Sequence, residues 1–290
     1  MKKWAVIAII GVVVVAGLSL AASQGMRRSG ASSQATTAST QTAREKTAKT
    51  SASRQPAQGT EAGIAAMGKA AEAKRYLFAF FWKEEDEQTT AMKKVFEAAM
   101  AKVSDRADAI AVQITDPAEK GIVDRFQLDR APMPLVLALA PNGAITGGFP
   151  KKFEVQNLLD AFATPCMEQC MKALQENKLV LVCVQNETTE SNDAAMQGVR
   201  DFQADSRYSE VTEVVLLNPA DDKEASFLGD LKINPKTTEA ITAFMAPPGM
   251  VIAEFTGETK KEDLVTTLEK ASSGCCPGGQ CGPGGCAPKK

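Results

Sequence analysis

The segment PLVLALAPNG, Pro134 to Gly143, decides how this chain is read. Pro134 to Leu139 is a continuous apolar run of strand length with no alternation, so it is expected to be a strand covered on both faces. Pro141, Asn142 and Gly143 form a turn signal, because Asn-Gly favours the positive φ of a tight hairpin. Ala144 to Phe149 returns as the next strand. A segment of the same build follows 106 residues later, measured from Gly143 to Gly249. There Ala240 to Met245 reads as a strand, Pro247, Pro248 and Gly249 as a turn, and Met250 to Phe255 as a strand. A period this long indicates tandem domains and not a solenoid.

The same order extends upstream of each hairpin. Tyr76 to Trp82 reads YLFAFFW, an apolar and aromatic run suited to a central strand. Met92, Val95, Phe96, Met100 and Val103 then fall on one helical face. Ala109 to Ile114 is a second buried strand. Asp116 and Pro117 open a short helix through Ile122, Val123 and Phe126. After the hairpin, a last helix turns Val155, Leu158, Leu159 and Phe162 inward. The second half repeats these parts. Leu179 to Val184 is a strand, Ala195, Met196, Val199 and Phe202 mark a helix, and Val214 to Leu217 is a strand. Phe227, Leu228 and Leu231 mark a short helix, and Leu264, Val265 and Leu268 mark the closing one. The expected class is α/β, with a βαβαββα order in each half.

Each half resembles a thioredoxin-like domain. The resemblance rests on APMPLVLALAPNG, Ala131 to Gly143, and on Phe81-Trp82 at the end of the first strand. It implies two tandem thioredoxin-like domains over residues 62–164 and 165–271. It also implies a cis-proline beside the active site, with Pro134 in that position. Redox members of the family carry Cys-x-x-Cys four residues after the Trp. Here Asp86, Glu87, Gln88 and Thr89 stand there, and carboxylates and hydroxyls cannot carry out thiol–disulfide exchange. Asn186 to Asp193 in the second half also lacks cysteine, and Ala240 takes the place of the cis-proline, with Pro235 too far upstream to serve. The acidic run Glu84 to Glu87 could hold a hard cation such as calcium. Consecutive loop residues rarely converge on one ion, and the run is expected to be a solvated helix start, where carboxylates meet the positive dipole end.

The chain has seven cysteines. Cys183 falls inside a buried strand and is expected to be a small core residue. Cys166 and Cys170 follow Thr164, a candidate N-cap, and Pro165, a candidate first helical residue. First-turn backbone N–H groups are expected to favour a Cys166 thiolate, with Cys170 one turn later on the same face. The pair reads as a redox couple, as a soft-ion station helped by Met167 or Met171, or as half-buried packing of an interdomain helix. Helical i,i+4 spacing is poor for a disulfide. The remaining four, Cys275, Cys276, Cys281 and Cys286, lie in a Gly/Pro-rich tail over 272–290. Four thiolates suffice for a tetrahedral Zn(II), and fewer for Cu(I). The spacing is not that of a paired zinc knuckle, and the same residues could form disulfides in an oxidising compartment.

Lys2 and Lys3 precede an uncharged apolar run from Trp4 to Leu20. Residues 1–22 are expected to be a signal anchor or a signal peptide, with the length of the run favouring the anchor. Residues 23–61, rich in Ser, Thr, Ala and Gln, read as a flexible linker. The bulk of the chain is thus expected outside the cytoplasm, at a cell membrane through residues 4–20, in a periplasmic setting, or secreted if the signal is cleaved. The 290 residues carry 33 Lys and Arg against 35 Asp and Glu, a net charge of −2, which gives no reason to expect nucleic acid. Histidine is absent, so no Ser-His-Asp triad, Cys-His dyad or imidazole metal site comes from this chain.

The functional expectation is a protein-binding or scaffold module that meets a protein partner at the membrane. The alternatives are soft-metal binding (Cu or Zn) by the tail, and thiol–disulfide exchange with Cys166 attacking and Cys170 resolving.

Overall fold

The computed structural model describes residues 62–273. The expected signal segment, the expected linker and the four tail cysteines lie outside them. Two four-stranded mixed sheets organise this part of the chain.

The first unit begins with α1 (Ala62–Glu72), then runs β1 (Tyr76–Trp82), α2 (Glu87–Lys102), β2 (Ala107–Gln113), α3 (Lys120–Phe126), β3 (Leu135–Leu139), β4 (Ile145–Pro150) and α4 (Val155–Leu159). The second runs α5 (Pro165–Gln175), β5 (Leu179–Val184), α6 (Asn192–Gln203), β6 (Thr212–Leu217), α7 (Ala225–Leu231), β7 (Ile241–Ala246), β8 (Met250–Thr256) and α8 (Lys261–Ser273). The strand orders are β2-β1-β3-β4 and β6-β5-β7-β8, each with one parallel and two antiparallel pairings. This agrees with the order expected from sequence, including the helix that starts at Pro165, with one addition. The first unit also opens with a helix, α1, so the order in each is αβαβαββα.

The central strands are buried because they are apolar on both faces. In β1, Phe78 and Phe80 point into one cluster, and Leu77, Ala79 and Phe81 into another. Phe96 and Ala99 of α2 cover the first side, with Leu158 of α4. Ala70 of α1 and Ile122, Val123 and Phe126 of α3 cover the second. Fully burying each such phenylalanine stabilises the fold by roughly 1.5–3 kcal/mol. In the second unit Leu181 and Cys183 face Val199 and Phe202 of α6, while Val180 and Val182 face α5 and α7.

The repeat is accurate to the level of irregularities. The β3–β4 ladder shifts register between Ala138 and Leu139, and the β7–β8 ladder between Phe244 and Met245, 106 residues on. Lys151 and Gly257 both have positive φ, +63° and +75°, and donate to Pro134 O and Ala240 O at 2.6 and 2.8 Å. Gly143 adopts φ +82° in the first hairpin. Asn142 is not left-handed, however. Its side-chain Oδ1 instead accepts from Ala144 N at 2.9 Å and holds the turn.

One core cluster runs from Phe78 and Phe80 through Met167 and Met171 of α5 to Val180 and Val182. The two units therefore share α5. Gln175 of α5 accepts from Ile145 N at 2.9 Å and donates to Ile145 O at 2.7 Å, covering the outer edge of β4. The hydroxyl of Tyr76 donates to Glu168 Oε1 of α5 and accepts from Ala163 N at 2.9 Å.

Candidate functional site

Three places could carry function: the start of α2 with Pro134, the matching place in the second unit, and the α5 cysteines.

Asp86 is the N-cap of α2, and its side chain accepts from Thr89 N at 2.6 Å. That bond holds the Asp86 carboxyl below its usual range. Glu87, Gln88 and Thr89 form the first turn, so the acidic run is a helix start. Met133-Pro134 is a cis peptide, as the resemblance implies. Gln88 Nε2 donates to Lys151 O at 2.9 Å, and Lys151 N donates to Pro134 O. Lys151 thus ties the helix start to the proline loop. Among the described residues nothing pairs with the Met133 backbone. This face combines the unpaired Met133 backbone with exposed carboxylates, and it holds no thiol.

The second unit is built differently at the same place. Register pairs Phe81 with Leu135 and Val184 with Ile241, so Ala240 occupies the position of Pro134. Its peptide bond is not among the cis bonds. The cis bond of this unit, Pro247-Pro248, is in the hairpin turn, where sequence reading expected the turn but not the isomer. Ala240 N donates to Glu190 O at 2.9 Å, and Glu190 N donates to Thr238 O at 2.8 Å. This short parallel bridge closes the face. A proline at residue 240 would have no N–H to donate. Asn186, Thr189 and Asn192 brace the closing loop: Thr189 Oγ1 donates to Asn192 Oδ1 at 2.7 Å, and Asn192 Nδ2 to Asn186 O at 2.7 Å.

The α5 cysteines lie where sequence placed them. Thr164 caps α5 by accepting from Met167 N at 3.3 Å, and Pro165 is the first helical residue. Cys166 is partly buried and Cys170 fully so, and both are free thiols, as is Cys183 in β5. The surroundings of Cys166 oppose the thiolate that its place in the helix favours. Burial, and then the Glu224 carboxylate, push its thiol up to about 12. The thiol instead donates to Leu216 O at 3.4 Å. Burial also pushes Cys170 well above the ordinary thiol range, and Cys183 to about 12. Burial thus favours the thiol form of all three, and the thiol is the less nucleophilic form. Among the described residues no three Cys, Asp or Glu side chains are grouped to hold a metal ion, and Met167 and Met171 are buried in the core.

Sequence reading missed why Glu224 is there. Its Oε1 accepts from Cys166 N at 3.0 Å, which satisfies the first turn of α5. Glu119 does the same for α1, accepting from Gly63 N at 2.9 Å. Both glutamates are buried, and both follow an aspartate three residues earlier, Asp116 or Asp221, whose side chain accepts from Ala118 N or Lys223 N. The repeated Asp-x-x-Glu, 105 residues apart, was the available signal.

No protein-family model and no curated protein matches the chain. Among solved structures it is similar to thioredoxin O2 of Arabidopsis thaliana in the oxidised state, at 16% identity over 39% of this chain and 90% of that one, with a TM-score of 0.30. It is also similar to the first two thioredoxin domains of Eps1p. For the Saccharomyces cerevisiae protein the figures are 9% identity, 70% and 94% coverage and a TM-score of 0.26. For Naumovozyma dairenensis they are 7%, 78% and 98%, with 0.29. The described residues themselves form two α/β units with the same order of four strands, β2-β1-β3-β4 and β6-β5-β7-β8. Among the described residues no helix is long and apolar enough to cross a membrane.

Proposed function

We propose that this chain is a membrane-tethered, extracytoplasmic tandem thioredoxin-like protein that binds a protein partner and does not catalyse thiol exchange. The observation that carries the reading is the contrast between the two proline-loop faces. The first keeps its Met133 backbone unpaired beside cis-Pro134 but has Asp86 to Thr89 where a redox site needs cysteines. The second is closed by its own Glu190 bridge. A face with backbone groups free and no nucleophile suits recognition of an extended segment. The test is affinity capture from solubilised membranes with the full chain, a Met133→Asp variant and a Glu239→Lys variant. A partner held by the native chain and the second variant, and lost with the first, supports the reading. No specific partner, or one held equally by all three, overturns it.

A second reading concerns the tail, whose four cysteines fall within twelve residues. Cys275, Cys276, Cys281 and Cys286 would bind Cu(I) or Zn(II) as thiolates. Metal analysis of the reduced full chain, with and without Cys→Ser at all four, decides it. Equal metal content in both forms rejects the reading.

A further inference from the structure

The joint between the two units shows what the end of the second unit lacks. In the first unit, the turn end of β4 is covered by α5. Ala144 is fully buried there, and the backbone edge of Ile145 is satisfied in both directions by Gln175. The matching residues of the second unit are Met250 and Val251. They are 61% and 47% exposed, two of only four large apolar side chains so exposed among the described residues. Beyond its pairing with β7, no described residue pairs with the backbone of Val251. An edge strand with apolar, uncovered residues is a template for association.

The helix that matches α5 is α1, and its outer face is also uncovered. Ala65, Gly68, Lys69 and Glu72 are exposed, at the places that Glu168, Met171, Lys172 and Gln175 hold on α5. A side chain added at Gly68 would meet nothing within 4 Å. At one matched place the sizes are exchanged. Within the chain, large Met171 of the helix and small Ala144 of the sheet side belong to one buried cluster. On the free surfaces the large residue at this place is on the sheet, Met250, and the small one, Gly68, is on the helix, while Val251 stands where Ile145 stands in the first unit.

We propose that copies of this chain associate head to tail, with the turn end of β8 in one copy receiving α1 of the next, as β4 receives α5 within each copy. The two surfaces differ, so the contact is heterologous and extends to a series or closes into a ring. Pro248 replaces Asn142 and Leu179 replaces Tyr76, so the hydrogen bonds of the internal joint are not repeated. Glu72 can accept from Val251 N but cannot donate to its carbonyl as Gln175 donates to Ile145 O. The contact is therefore mainly apolar and concentration-dependent.

The test places a photo-reactive residue at Val251 in the full chain, in detergent micelles, using mixed light-isotope and heavy-isotope protein. The expected products join β8 of one copy to residues 62–72 of another, and the particle mass rises with concentration. Met250→Asp and Gly68→Met, both on exposed surface, should each raise the midpoint concentration by about tenfold or more. Cross-links within a single copy, including to its own tail, overturn the proposal. So do cross-links from β8 to β8, or a single-copy mass at every concentration.

Discussion

The amide of Ala240 donates to the carbonyl of Glu190 at 2.9 Å, and this bond closes in the second unit what cis-Pro134 leaves open in the first. Ala240→Pro removes the donor and leaves a carbonyl without its partner. The expected cost is about 1–3 kcal/mol of stability, read by denaturant unfolding. Hydrogen exchange at the Glu190 amide should quicken, because the other half of the bridge loses its support. Unchanged exchange there would show that the bridge does not hold the loop.

Tyr76 and Glu168 join β1 of the first unit to α5. Burial raises the pKa of Glu168, and the Tyr76 hydroxyl opposes that rise by donating to the carboxylate. Tyr76→Phe therefore leaves a half-buried carboxylate and the Ala163 N–H without their partner. Unfolding should come about 1–3 kcal/mol earlier, with the Glu168 carboxyl titrating at higher pH. Carboxylate titration by NMR checks the second effect separately from the first.

Glu224 is the charged group that lifts the Cys166 thiol beyond what burial alone achieves. Glu224→Gln keeps an acceptor for Cys166 N and removes the charge. Alkylation of Cys166, followed peptide by peptide, should then begin at lower pH than in the native chain. Cys183, which lacks this neighbour, should label as before. An unshifted Cys166 profile would assign its inertness to burial alone.

Three thiols in the described residues ionise with more difficulty when folded than at their ordinary value of 9.0. The folded state thus holds protons that the unfolded state gives up first. Stability is full below about pH 9 and is lost as pH rises toward 12. Each thiol contributes up to about 1.4 kcal/mol per pH unit in that window, and less for the partly exposed Cys166. Cys183→Ala should flatten the decline, measured as the denaturant midpoint against pH.

Much of the fold was legible because its strands are apolar without interruption. Tyr76 to Trp82 and Leu179 to Val184 could be bounded to the residue, since apolar residues begin and end with the strands. β2 was harder. It starts at Ala107, before the expected Ala109, because its alanines and Asp108 carry little hydrophobic signal. The helix α1 was not seen as a helix at all. Its Ala- and Gly-rich sequence continues the composition of the linker, and the acceptor for its Gly63 N–H is Glu119, 56 residues away. The same kind of distance defeated the reading of Cys166. Local sequence offers only the N–H groups of its own helix turn, whereas the thiol is raised first by burial and then by the charge of Glu224, 58 residues away. The cis-proline was legible only through the family resemblance, which implies one just before this strand. The Glu190 closure was not, because a backbone pairing leaves no trace in side-chain chemistry.

Because α5 opens one unit and walls the other, the repeated halves are not spare parts. A substitution at Gln175 or Glu168 is judged twice, once by the helix it belongs to and once by a sheet encoded a hundred residues earlier or less. Glu168 is held to the side chain of Tyr76, whereas Gln175 reads only the backbone at Ile145 and so sets no demand on the side chain there.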